Sequence, residues 1–159
     1  MQDNTQQSTI RHGQYCLFKI NPNAAQVSYG ENSELRDFVT ILVSNNAKLL
    51  IGNNVFINSY SSINCLQEIE IGDHTLIGEG VRMYDHNHKY DQEKIEGNIF
   101  YMAPIKIGKH CWIGSNVVIL KGVTIGDHCV IGAGCVVHKD IPAGSVVLNK
   151  QELIVKEIK

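Results

Sequence analysis

Long apolar runs are absent from this chain of 159 residues, so the sequence predicts no membrane-crossing helix. The opening stretch, Met1 to Arg11, is polar and rich in Gln, Asn, Ser and Thr, without the apolar segment of a secretory signal. A basic excess is also missing. The formal net charge is -2, so no broad cationic surface invites nucleic acid or an anionic membrane. Paired cysteines are lacking too. The five present, Cys16, Cys65, Cys111, Cys129 and Cys135, are odd in number and form no C-x-x-C pair, which argues against a disulfide framework or a zinc ribbon. Free thiols fit a reducing compartment. Together these absences predict a cytoplasmic protein sized for one domain, with no membrane span and no nucleic-acid partner.

What the chain does have is a repeat. Ile107-Gly108-Lys109-His110-Cys111-Trp112 is followed by Ile113-Gly114-Ser115-Asn116-Val117-Val118, and the blocks opening at Ile119, Ile125 and Ile131 follow the same scheme. An aliphatic residue opens each block of six, a small residue often follows, and a small or β-branched residue takes the fifth place. Earlier blocks open at Ile51, Ile57 and Ile63, then at Ile71, Ile77 and Met83. Three blocks make a coil of 18 residues, the step from Ile107 to Ile125; the step from Ile51 to Ile71 carries two more, and that from Ile71 to Ile107 carries 18 more.

One large aliphatic per six residues predicts short strands, each turning one side chain inward, with Gly and Asn at the corners between them. Stacked coils then form a three-sided parallel β-helix with ladder hydrogen bonds between coils about 4.8 Å apart. Three inward columns result: Ile51, Ile71, Ile107 and Ile125; Ile57, Ile77, Ile113 and Ile131; Ile63, Met83, Ile119 and Val137. The expected organisation is an irregular capping segment over 1–46, the β-helix over 47–142 with a loop inserted at about 85–103, and a tail over 143–159. Val39-Thr40-Ile41-Leu42-Val43 fits an imperfect capping coil, and Leu153 to Lys159 a short strand or helix.

The inserted loop is where chemistry is expected, because a long excursion from a rigid scaffold commonly carries function. It opens Tyr84-Asp85-His86-Asn87-His88-Lys89-Tyr90-Asp91 and closes Phe100-Tyr101-Met102-Ala103-Pro104. Two histidines one residue apart beside Asp and Asn make a candidate acid–base site, since a neutral imidazole can accept a hydroxyl proton. Asp85 is suited either to orient an imidazole or to cap the loop. Cys111, Cys129 and Cys135 share the fifth place of the repeat, which packing explains. His74, His110 and His128 share another place and read as a solvated ladder; no metal site is expected, because carboxylates and thiols do not converge on them in the sequence.

The run Pro104-Ile105-Lys106-Ile107-Gly108-Lys109-His110-Cys111-Trp112-Ile113-Gly114-Ser115, then Val130-Ile131-Gly132-Ala133-Gly134 and Lys139-Asp140-Ile141-Pro142, resembles the hexapeptide-repeat acyltransferases. Within them it resembles the maltose, galactoside and capsular-polysaccharide O-acetyltransferase branch. The resemblance implies a left-handed coil, which the repeat alone does not specify. It implies acetyl-coenzyme A as co-substrate, a small acceptor such as a sugar, and a homotrimer with sites between subunits. His88, 24 residues before Trp112, matches the catalytic base, with His86 as runner-up. Trp112 resembles the residue beside the pantetheine thioester, and Ser115 the group steadying the oxyanion. Ala133 resembles the contact to the pantetheine arm, and Lys139, with His138 beside it, the cation near the coenzyme phosphates. Asn64, Asp85 and His86 are placed toward the acceptor. Two departures stand out. Leu148-Asn149-Lys150-Gln151-Glu152-Leu153 replaces the family's G-x-P-A-(K/R) turn, and His138 replaces a small polar residue. N-acetylation of an amino sugar or xenobiotic, a metal hydrolyase on the same scaffold, and a non-catalytic binding scaffold are the competing expectations.

Overall fold

The computed structural model describes residues 10–150, 152 and 154–157. No helix occurs among them, and three parallel sheets form the sides of a β-solenoid. Strands are numbered along the chain. The first sheet holds β1 (Arg11–His12), β4 (Glu34–Leu35), β7 (Phe56–Ile57), β10 (Leu76–Ile77), β15 (Trp112–Ile113), β18 (Val130–Ile131) and β20 (Val146–Val147). The second holds β2 (Leu17–Ile20), β5 (Thr40–Val43), β8 (Ser62–Cys65), β11 (Arg82–Tyr84), β16 (Val118–Leu120) and β19 (Val136–Val137). The third holds β3 (Gln26–Tyr29), β6 (Lys48–Ile51), β9 (Glu68–Ile71), β14 (Ile105–Ile107) and β17 (Thr124–Ile125). The chain visits first, second and third sheet in turn, so each circuit is one coil.

The three inward columns are in register. Ile57, Ile77, Ile113 and Ile131 align on the first sheet, Ile63, Met83, Ile119 and Val137 on the second, and Ile51, Ile71, Ile107 and Ile125 on the third. None of the twelve exceeds 3% exposure. Hydrophobic burial therefore fixes the register, because a slip of one residue would turn every inward side chain to water. Cys65, Cys111, Cys129 and Cys135 fill small places in the same core.

Corners need left-handed backbone. Asn32, Asn54, His74, His110 and His128 take it between the third and first sheets. Tyr15, Phe38, Tyr60, Gly80, Asn116 and Gly134 take it between the first and second. At Gly114 the need is closeness instead: a Cβ there would lie 2.7 Å from the amide nitrogen of Ala133.

Parallel pairing begins at Arg11 and runs to Val147, beyond the repeat visible from Leu49 to Pro142. Residues 11–46 are thus coils of the same solenoid rather than an irregular cap. The first coil is open beneath, and its inward Ile20 is 39% exposed. At the other end, residues 154–157 form neither strand nor helix; residues 1–9, 151, 153, 158 and 159 lie outside the described residues.

Both insertions fall on the same edge, between the second and third sheets. The 18-residue one is an antiparallel hairpin of β12 (His86–Tyr90) and β13 (Ile95–Met102), not an irregular loop.

Candidate active site

Asp85 roots the hairpin. Its side chain is fully buried, and its carboxylate accepts backbone N–H bonds from Leu66 at 2.9 and 3.0 Å, Gln67 at 2.7 Å and Glu68 at 3.0 Å. Leu66 to Glu68 is where the two-residue insertion lies, so one carboxylate ties the two irregular turns of that edge together. Its Oδ1 also lies 3.1 Å from Nδ1 of His86. Asp85 therefore both caps and orients, and with both oxygens engaged it reaches an acceptor only through His86. That enclosure replaces the direct acceptor contact expected of it. Burial, with the Asp85 charge adding to it, pushes the neighbouring Cys65 thiol up to about 12, which removes it as a nucleophile.

His86 and His88 are two apart on β12 and project to one side of it. With Tyr84, Asn87, Tyr90 and Ile95 they line an open cleft of about 500 Å³. Phe100, on the opposite strand, sits edge-on to His86 at 5.3 Å and tilted to His88 at 4.7 Å between ring centres. Nδ1 of His88 lies 3.1 Å from the carbonyl oxygen of Glu96. A carbonyl only accepts, so this contact places the proton of a neutral His88 on Nδ1 and leaves the lone pair on Nε2. The Asp85 carboxylate sets the same tautomer in His86.

Asn64 stands on β8 beside Tyr84 of β11, facing outward next to the root of the hairpin. His138 and Lys139 follow β19 on the hairpin's edge and are exposed. The remaining expected groups are elsewhere. Trp112 lies on the first sheet between Leu76 and Val130, 56% exposed. Ser115 and Ala133 occupy successive coils at the corner between first and second sheets, both exposed, with the Ser115 carbonyl accepting from Gly134 N–H at 2.9 Å. Near them, where the usual terminal turn is replaced, Asn149 donates to the Gly134 carbonyl at 3.3 Å.

In a three-sided prism the edge between second and third sheets faces away from the first. The imidazoles and Trp112 are therefore not brought together within one chain. Sequence spacing did not show this, nor the parts played by Tyr84, Phe100, the Leu66–Glu68 amides and the Glu96 carbonyl. Only the amides left a signal, the two extra residues between Ile63 and Ile71.

His74, His110 and His128 stack flat at 4.9 and 5.0 Å with rings 2° from parallel. Parallel rings set their nitrogens side by side instead of converging them. Among the described residues, no group of three or more His, Cys, Asp or Glu is arranged to hold a metal ion.

Comparison with known proteins agrees with this architecture. Residues 104–139 match the family described as bacterial transferase hexapeptide (six repeats). Over 98 residues the chain is 47% identical to Nodulation protein L of Rhizobium leguminosarum bv. viciae, covering 62% of this chain and 52% of that protein. It is 37% identical over 90 residues to galactoside O-acetyltransferase of Escherichia coli K12, covering 57% and 43%. The chain thus spans about half the length of the curated relatives it matches. A hexapeptide-repeat acetyltransferase of Vibrio cholerae O1 biovar eltor, solved with acetyl coenzyme A, superposes with a TM-score of 0.61 at 30% identity over 78% of this chain and 66% of that one. Repeat, parallel register and these likenesses together identify the chain as a member of the bacterial hexapeptide-repeat transferases.

Proposed function

We propose that this chain transfers the acetyl group of acetyl-coenzyme A to a hydroxyl of a small acceptor, a sugar or polysaccharide precursor, with His88 as general base. The observation that carries the reading is the His88 imidazole: its Nδ1 is committed to the Glu96 carbonyl and its ring lines the open cleft, so Nε2 faces an acceptor as a base. Relatives support the donor. The Vibrio cholerae structure holds acetyl coenzyme A, and a related galactoside acetyltransferase was solved with coenzyme A.

His88 Nε2 takes the proton of the acceptor hydroxyl as its oxygen attacks the thioester carbonyl. Donors at Ser115 and its neighbouring amides hold the negative oxygen, typically a contribution of several kcal/mol. The C–S bond then breaks, and the His88 imidazolium returns its proton to the departing thiolate. Trp112 flanks the thioester, Ala133 the pantetheine arm, and His138 and Lys139 the phosphates.

Because the hairpin and Trp112 lie on opposite sides of one chain, this site requires a neighbouring copy, in a homotrimer with each hairpin reaching the adjacent subunit. Leu76, Trp112 and Val146 expose apolar surface along the first sheet, at 50%, 56% and 66%, which suits such an assembly. Unpaired thiols suit work in the cytoplasm.

One observation favours His86 as the base instead: a buried carboxylate on Nδ1 raises the basicity of Nε2. The deciding experiment measures thiol release from acetyl-coenzyme A over a panel of sugars and amino sugars, with His88→Ala and His86→Ala in parallel. Loss of turnover by about a hundredfold or more in His88→Ala, with the donor still bound, is the expected result. Full turnover in His88→Ala and loss in His86→Ala would transfer the role to His86. A preference for amino sugars would make the reaction an N-acetylation.

A further inference from the structure

Below the hairpin, the same edge of the solenoid carries a second cleft of about 420 Å³, lined by Lys19, Ile20, Asn21, Leu42, Ser44 and Leu66 among others. It shares a wall with the imidazole cleft. Leu66 lines the lower cleft and its N–H is held by Asp85, whose chain neighbours Tyr84 and His86 line the upper one. A single outward column joins the two: Lys19 pairs with Leu42, Leu42 with Asn64, and Asn64 with Tyr84. Three coil steps separate Lys19 from Tyr84, about 14 Å at the usual strand spacing.

The chemistry along this line alternates. Leu42, Leu66 and the 39% exposed Ile20 offer apolar contact. The Lys19 ammonium, the Asn21 and Asn64 amides and the Ser44 hydroxyl offer hydrogen bonds beside them. A pyranose ring has the matching character, an apolar C–H face rimmed by hydroxyls. Lys19 makes no ion pair with any described residue, so its donors are free for such a partner. The column leads directly from the imidazoles and holds more length than one sugar ring needs.

Resting on the acetyl-transfer reading above, we infer that the acceptor is an oligosaccharide, whose end ring lies at His86 and His88 while its remaining rings run down the second sheet to Lys19. The lower cleft then sets acceptor length without taking part in the chemistry.

The test uses the full chain with glucose and N-acetylglucosamine and with their linear oligomers of increasing length up to five rings. Thiol release and dissociation constants are both measured. The five-ring acceptor is expected to exceed its monosaccharide by about tenfold in kcat/KM or affinity. The double variant Lys19→Ala, Leu42→Ala is expected to lose most of that gain and to keep the monosaccharide kcat/KM. Turnover on a monosaccharide with no gain from added rings would overturn the oligosaccharide groove and leave acetyl transfer standing. Absence of turnover on every acceptor would remove the acetyl-transfer reading, and the groove would then stand or fall on binding, equal affinity for one and five rings overturning it. Loss of self-association in the double variant, with the length response intact, would assign the cleft to a second copy of the chain and also overturn the proposal.

Discussion

At the scale of single residues, Asp85 bears most on both stability and chemistry. Replacing it with Ala leaves three buried backbone donors without an acceptor, a loss on the order of 3 kcal/mol. Urea unfolding of Asp85→Ala should show that loss, and Asp85→Asn, which keeps one acceptor oxygen, a smaller one. An unchanged midpoint in both would mean that the Leu66–Glu68 turn does not depend on the carboxylate. The thiols make a second case. Cys65 is pushed up to about 12 by burial and by the Asp85 charge, and burial raises Cys111 as well. Cys129 and Cys135 lie in the same core, whereas Cys16 is only half-buried. A thiol reagent at pH 8 should therefore modify Cys16 alone in the folded chain, and all five cysteines after unfolding. Rapid native modification of Cys65 would contradict its burial.

At the scale of the element, a two-residue strand presents one side chain to the core and the next to water, as Trp112 and Ile113 of β15 do. Ile113 is 0% exposed within its column, and Ile113→Ala should cost about 2–5 kcal/mol of unfolding free energy, read from denaturant titration. Trp112→Ala removes an exposed ring and should change stability by under about 1 kcal/mol. Its effect should fall on the KM for acetyl-coenzyme A. Were the two substitutions equally destabilising, the inward and outward assignment of β15 would be wrong. The hairpin obeys another logic. Antiparallel pairing closes it on itself, so it stands off the prism without interrupting the parallel register on either side. Its 18 residues carry no repeat, and so the sequence marked its limits, between Met83 and Ile107, but not its strands.

At the scale of the whole molecule, a three-sided cross-section decides which residues can meet. The proposed base and the proposed thioester contacts lie on opposite sides, so neither set can act within one chain. Mixing experiments read this directly. His88→Ala and Ser115→Ala should each lack turnover alone, yet refolding them together should restore it, because a mixed assembly pairs an intact hairpin with an intact Ser115 corner. If turnover does not return on mixing, the site is not shared between subunits.

The sequence by itself determined the solenoid, its three inward columns, and the place where chemistry leaves the scaffold. Each depends on local periodicity, and a period of six with one aliphatic residue admits few packed solutions. It understated the coils over residues 11–46, because their corners carry Tyr15 and Phe38 where later coils carry Gly80, Asn116 and Gly134, and their spacing is longer. The hand of winding came with the family likeness and not with the repeat. Tertiary structure alone decided that Asp85 reaches the amides of a turn 17 to 19 residues earlier, that the Glu96 carbonyl fixes the His88 tautomer, and that the imidazoles face away from Trp112. Those facts depend on which coil lies above which and on which edge each turn occupies, and spacing along a chain does not encode distance across a prism.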